Sequence, residues 1–302
     1  MMDYKPEGLG RSIEHMSAQE LRTAMENSTI VESTALAFDH HRRLRFDFNG
    51  KPFYIPYEEC ALGVGTPSFR DIAILSRIGR PTCFAVCPPQ KTNGQPFLSR
   101  RLAQKNCQQQ YLNLLQPGDV ISCVVTHLEP FGAFCDVGCG ISALLPLDCL
   151  SVSRIQSPAD RLKVGQQLFC AVKSRDDQGR LILTLKELMG SWQQNADCFQ
   201  AGETVVGIVR SVESYGVFIE IAPNLAGLAE NRMDLTTGQP VSVYIKSILP
   251  DKMKVKLAVV NQYLESPVFF GPRYFTHSNH LSRWEYSPPG CSKQIFTCFD
   301  PE

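Results

Sequence analysis

Two aromatic pairs stand at the same internal spacing in two similar stretches of chain: Phe131 with Phe134, and Tyr215 with Phe218. Flat rings of this kind stack on exposed nucleobases, and cations beside them follow the phosphates of a single strand. The same rings also suit the core of a small β protein. That second reading weighs most for Phe134 and Phe218, which β-branched or small apolar residues flank. In a regular strand a spacing of three sends two side chains to opposite faces. Gly132 and Gly216 lie between the rings of each pair, where a bulge or bend would bring both rings to one side.

No other chemistry competes strongly with stacking. The chain has no phosphate-cradling glycine loop ending in Lys-Ser or Lys-Thr, no GxSxG elbow, no HExxH and no acid cluster at metal-binding spacing. Its 12 cysteines form no CxxC pair. The nearest approximations, Cys83 with Cys87 and Cys135 with Cys139, lack the second half that a zinc site needs. The cysteines are therefore expected to be free thiols behaving as small buried hydrophobes, with no metal and no cofactor.

The elements that must hold the rings repeat. PGDVISCVVTHLEPFGAFCDVGCGISALLP (117–146) aligns without a gap on AGETVVGIVRSVESYGVFIEIAPNLAGLAE (201–230), at an offset of 84 residues. Gly118 falls on Gly202, Phe131 on Tyr215, Gly132 on Gly216, Phe134 on Phe218 and Leu144 on Leu228. Gly165-Gln166 then opens LFCAV as Gly238-Gln239 opens VSVYI, and LILTLK or KVKLAVV closes each repeat. Each repeat thus has five short strands, rich in Val and Ile and punctuated by Gly. Five such strands favour a small closed barrel, which leaves no sheet edge bare, and the OB-fold is the natural candidate.

The strings GDVISCVVTHLEPFGAFCDV and GETVVGIVRSVESYGVFIEI, each followed by a Gly-Gln strand and a basic closing strand, resemble the S-one type RNA-binding domain, the repeat of the largest small-subunit ribosomal protein. ISALLPLDCLSVSRIQSPADRL, APNLAGLAE and VSVYIKSILPDKMKVKL also resemble a group of clostridial proteins carrying tandem domains of this type. The resemblance implies an OB-fold in which both aromatics of each pair share the binding face. It further implies that Asp176 and Arg180 match the acid and the basic residue around the last hairpin, with Asp251 and Lys254 as their counterparts. There the base contacts phosphate or base edges and the acid orients it. The plainer reading of both charged pairs is a solvated hairpin tip. The sequence departs from the family on the third strand, where a histidine is common and Pro146 and Glu230 stand instead. A carboxylate there would repel phosphates. Nearby His127 reads as a plain surface histidine.

Upstream, TALAFDHHRRLRFDFNGKPFYIP reads as strands around an Asn49-Gly50 turn, and RPTCFAVCPP with PFLSRR as closing strands of a divergent third barrel. SRRLAQKNCQQQYLNLL, from Ser99, lacks Gly and Pro and reads as a connecting helix ended by Pro117-Gly118. Ser17 with Glu20 forms a capping box for a short helix. The expected organisation is mainly β: a leader over 1–28, the OB-like domain with its connector over 29–115, and barrels over 116–191 and 199–260. A tail over 261–302, rich in Pro and aromatics, is expected to pack on the last barrel. Residues 190–200 are expected to be an accessible linker between the barrels.

A length of 302 residues supports more than one core, and 20 prolines with 21 glycines suit a turn-rich β protein. No uncharged apolar run reaches the ~18 residues of a spanning helix and the first thirty residues lack an apolar signal core, so a cytoplasmic protein without membrane contact is expected. The 30 cationic and 30 acidic residues balance, which argues against a strong electrostatic grip on nucleic acid. Residues 35–105 nevertheless hold eleven Lys and Arg against five Asp and Glu, with Arg42 and Arg45 the candidate phosphate contacts. The sequence therefore points to a non-enzymatic protein of translation or RNA handling that binds single-stranded RNA or mRNA, with the ribosome or its proteins as further partners. A protein-docking scaffold on the ribosome or another RNA-rich assembly is the alternative, since a fold does not fix its function.

Overall fold

The computed structural model describes residues 4–48, 50–88, 97–231, 234–262 and 268–300. They fall into two compact units, Met1–Leu115 with Asp136–Ser142, and Gln116–Cys135 with Ala143–Glu302.

In the first unit, Ser17 caps α1 (Ala18–Glu26) through the reciprocal box with Glu20 that the sequence specifies. Strands β1 (Ile30–Thr34), β2 (Ala37–Phe38), β3 (Arg43–Phe48) and β4 (Lys51–Pro56) follow, then a short helix α2 (Ile72–Leu75), β5 (Pro81–Cys87) and β6 (Phe97–Ser99). β3 and β4 are register partners up to Phe48 and Lys51, and Gly50 before β4 takes a φ of 73°; Asn49, the other residue of the expected turn, lies outside the described residues. β5 and β6 pair as expected. The expectation of a third barrel is corrected in one respect. Among the described residues these strands form two three-stranded sheets, β1-β5-β6 and β2-β3-β4, and not one closed barrel. β2 is only two residues long and pairs with β3 alone, too short to bridge the two sheets. They share a single core in which Phe46 packs on Phe84 with ring centroids 5.1 Å apart. The connecting helix α3 (Arg100–Gln110), capped by the Ser99 hydroxyl, closes this unit.

The second unit holds two closed barrels. The first is built from β7 (Val120–Glu129), β8 (Gly132–Asp136), β9 (Ser142–Pro146), β10 (Gln167–Arg175) and β11 (Leu181–Thr184). The short helix α4 (Trp192–Ala196) then leads to β12 (Thr204–Glu213), β13 (Gly216–Ala222), β14 (Leu225–Ala229), β15 (Pro240–Leu249) and β16 (Lys254–Asn261). Both close in the same order: first strand beside second, second beside third, third beside fifth in parallel, fifth beside fourth, fourth back to first. This is the five-stranded Greek-key closure of an OB-fold. Apolar side chains alternate inward along each strand, as in β7, whose Ile121, Cys123 and Val125 are buried.

Residues 190–200 are not the exposed linker expected from the repeat boundaries. α4 sinks Trp192 and Ala196 into the core of the second barrel, and Trp192 donates its backbone N–H to the Tyr286 carbonyl at 2.9 Å. The tail supplies the other wall of that core with Trp284 and Tyr286, and pairs β17 (Arg283–Glu285) with β18 (Phe296–Cys298). It also reaches the first barrel, where Asn279 accepts from the Val120 N–H at 2.8 Å and the His280 ring meets Asp119 at 2.8 Å. No helix among the described residues is long and apolar enough to cross a membrane.

Candidate nucleic-acid interface

Within each aromatic pair the two rings meet. Phe131 and Phe134 meet edge to face with centroids 6.1 Å apart and planes at 89°; Tyr215 and Phe218 do so at 6.2 Å and 86°. The leading ring of each pair is the open one, Phe131 at 56% and Tyr215 at 68% exposure, while Phe134 and Phe218 are half-buried beneath them. The spacing of three succeeds because the leading ring sits in the turn before the strand, so strand alternation does not apply to it. The glycine that follows lets the third strand approach. A Cβ on Gly132 would lie 2.5 Å from the Leu145 carbonyl oxygen, and one on Gly216 would lie 2.6 Å from that of Ala229, the equivalent residue.

Around these rings the two barrels diverge. In the second, Tyr215 and Phe218 line a groove of about 590 Å³ with Lys246, Lys254 and Lys256 on its walls and Leu228 on its floor. Glu230 borders it, but its carboxylate is held 2.6 Å from the Lys246 ammonium, whose hydrogen bond and charge keep it below the usual carboxylate range. The repulsion expected from Glu230 is thereby offset within the protein. In the first barrel the position of Lys256 is taken by Ile182, which pairs with Leu144 as Lys256 pairs with Leu228, and that of Glu230 by Pro146.

Arg180 and Asp176 form a closed clamp. Asp176 accepts the backbone N–H groups of Gln178 and Arg180 and the Arg180 Nε at 2.7 Å, bonds that lower its pKa. Arg180 stays exposed on the hairpin tip. Among the described residues Asp251 and Lys254 form no such pair: Asp251 sits in a 3-10 turn, and Lys254 opens β16 and lines the groove. In the first unit, Arg42 is committed to Asp71 at 3.0 Å and lies 3.8 Å over the Tyr57 ring, whereas Arg45 is exposed without an ion pair among the described residues. His127 is exposed and meets Glu129 at 2.8 Å.

Lys246 and Lys256 were not picked out from sequence, although the alternation of KVK in the closing strand places Lys254 and Lys256 on one side of it. The joint between the barrels was also missed. Glu220, at the end of β13, is fully buried between Arg161 of the first barrel's long loop and Arg210 of β12, whose Nε donates to it at 2.7 Å. Arg210 also reaches Asp160 at 3.2 Å, and Asn224 receives the Val152 N–H at 2.9 Å. Asp136 occupies the equivalent position in the first barrel and is solved differently: it accepts the N–H groups of Glu7, Gly138 and Gly140. Burial, followed by the nearby Glu7 charge, raises its pKa to about 6.

Residues 114–186 match the family described as S1 RNA binding domain, and the resemblance read from the sequence is borne out there. The small ribosomal subunit protein bS1 homolog of Bacillus subtilis is 37% identical over 156 residues, 50% of this chain and 41% of its own. Small ribosomal subunit protein bS1 of Leuconostoc lactis is 31% identical over 184 residues, 55% of this chain and 43% of its own. The chain thus spans less than half the length of these curated relatives. Among solved structures, a multidomain protein with nucleic acid binding domains from Streptococcus pneumoniae covers 81% of this chain and 76% of its own at 14% identity, with a TM-score of 0.26.

Proposed function

We propose that this chain is a non-enzymatic, cytoplasmic RNA-binding protein acting in translation or RNA handling, related in role to ribosomal protein bS1 and able to associate with the ribosome. The observation that carries the reading is the recurrence, in two barrels, of an exposed ring stacked edge to face on a second ring beside the closing strand. Bases of single-stranded RNA stack on Tyr215 and Phe131, with Phe218 and Phe134 supporting them. Lys254 and Lys256 follow the phosphates, Arg180 does so on the first barrel, and Asp176 fixes its guanidinium. Asp251 contributes through the turn that presents Lys254. Arg45, and Arg42 to the extent that Asp71 releases it, add attraction from the N-terminal domain of 29–115.

The alternative, a protein-docking scaffold, draws on the first barrel, whose face carries Leu144, Ile182 and Pro146 where the second carries Leu228, Lys256 and Glu230. Filter binding of single-stranded RNA at two salt concentrations separates the two. RNA binding by the aromatic faces gives affinity that falls with salt and is lost in the Tyr215→Ala, Phe131→Ala double variant. Affinity unchanged in the folded double variant would move the assignment to docking. Purified protein is also expected to cleave neither RNA nor nucleotides with magnesium or manganese present, and turnover abolished by a point change in this chain would refute that.

A further inference from the structure

A second cavity, of about 530 Å³, lies on the opposite strands of the first barrel, where the tail crosses β7 and β10. Gln167 and Phe169 alternate outward from β10 and form one wall. The tail forms the other with Tyr274, Thr276, His277 and Asn279. Phe169 is 50% exposed, and Tyr274 stands at 83° to it with centroids 6.0 Å apart, so the two rings make a corner. The Tyr274 hydroxyl accepts the Phe169 backbone N–H at 3.0 Å, which fixes that corner to the barrel. The amides of Gln167 and Asn279 have no side-chain partner among the described residues, and both are exposed to the cavity.

The lining selects the ligand by chemistry. No Asp, Glu, Lys or Arg lines this cavity, and apart from the His277 imidazole nothing in its lining offers a phosphate or a cation a counter-charge. What it offers is a flat π face, a perpendicular ring, and two carboxamides that each donate and accept. A nucleobase matches that set: its face stacks on an aromatic ring, and its edge pairs with a carboxamide in two directions, adenine being the base that Asn and Gln read bidentately. We infer that this cavity is a nucleobase-binding site, with adenine stacked on Phe169 and its edge held by Gln167 and Asn279. The base belongs either to a free nucleotide or to an RNA strand, and the site does not depend on the Tyr215 face.

The test titrates adenosine monophosphate and a short oligoadenylate into the full chain and into Phe169→Ala and Gln167→Ala, with thermal midpoints recorded on the same samples. Both side chains are exposed, so both variants are expected to keep their midpoints. Loss of a stacking ring weakens base binding ~5- to 150-fold. If the mononucleotide binds and Phe169→Ala weakens it by that factor, the site takes a free nucleotide. If only the oligoadenylate responds to Phe169→Ala, with Tyr215→Ala acting independently, the site takes a base of RNA. Oligoadenylate binding that depends on Tyr215 but not on Phe169 or Gln167, with no mononucleotide binding, overturns this site and leaves the proposed function standing.

Discussion

The two barrels share strand order, a glycine at the same close approach and an aromatic pair of the same geometry, yet they hold the same buried carboxylate position in opposite ways. Glu220 of the second is locked between two arginines, while Asp136 of the first rests on backbone N–H groups. The strands beside the rings diverge as well: three lysines line the groove of Tyr215 and Phe218, whereas the first barrel has Ile182 paired with Leu144 at the register position of Lys256, and its Arg180 is clamped by Asp176. A barrel's fold thus tolerates large changes in charge on its face, because the inward alternation that closes the barrel constrains only every second residue.

The largest expected difference lies in the buried carboxylates. Glu220→Gln strips the buried Arg161 guanidinium of its counter-charge, leaves Arg210 with Asp160 alone, and should cost about 3 to 5 kcal/mol in urea unfolding. Asp136→Asn at pH 7 should cost far less, since it imitates the protonated carboxyl that burial favours. The folded pKa of Asp136, about 6, lies above its ordinary 3.8, so its stabilising contribution is complete below pH 3.8 and is lost as pH rises through about 6. Wild type should therefore lose stability relative to Asp136→Asn across that window. Equal costs of the two substitutions at pH 7 would show that the two solutions are energetically the same.

Next in size is the ring comparison. Tyr215→Ala should weaken single-stranded RNA binding by ~1 to 3 kcal/mol, and Phe131→Ala by less, because fewer cations surround it. Loss of the thermal midpoint along with affinity would instead identify the ring as core. Smaller still, Lys254→Ala and Lys256→Ala should each lower the slope of log affinity against log salt by about 0.7, the value for one phosphate contact on a single strand. Arg180→Ala should change it less, and an equal change would erase the electrostatic distinction between the faces.

The features readable from sequence were local: five strands per repeat, the glycine turns, the capping box at Ser17, the hairpin around Gly50. Each follows from residues within a few positions of one another. What escaped depends on distant partners. Arg161 and Glu220 are 59 residues apart, with no local pattern to mark them as partners, yet both are fully buried. Trp192 lies in a stretch that the repeat boundaries mark as linker, yet it joins the core of the second barrel together with Trp284 and Tyr286 of the distant tail. Likewise the N-terminal strands were legible one by one, but closure into a barrel requires pairings that short strands such as β2 do not make.

The smallest expected effect concerns one of the tail's contacts with the first barrel, the exposed His280–Asp119 pair, which has no counterpart in the apolar core that the tail joins on the second. Hydrogen bonding to Asp119 raises the His280 pKa above 6.5, against an opposing effect of burial and with Asp300 adding to the rise. The contact is therefore strongest below pH 6.5 and weakens as pH rises through the raised value. An NMR titration of the His280 ring should show its pKa falling toward 6.5 in Asp119→Asn.

Titrating a short single-stranded RNA into isotope-labelled full chain, and following the aromatic and amide signals of both barrels, tests the assignment of the binding face. The largest shifts are expected at Tyr215, Phe218, Lys254 and Lys256, with weaker ones at Phe131 and Phe134. Saturable RNA binding that leaves the Tyr215, Phe218 and lysine signals unmoved would contradict it.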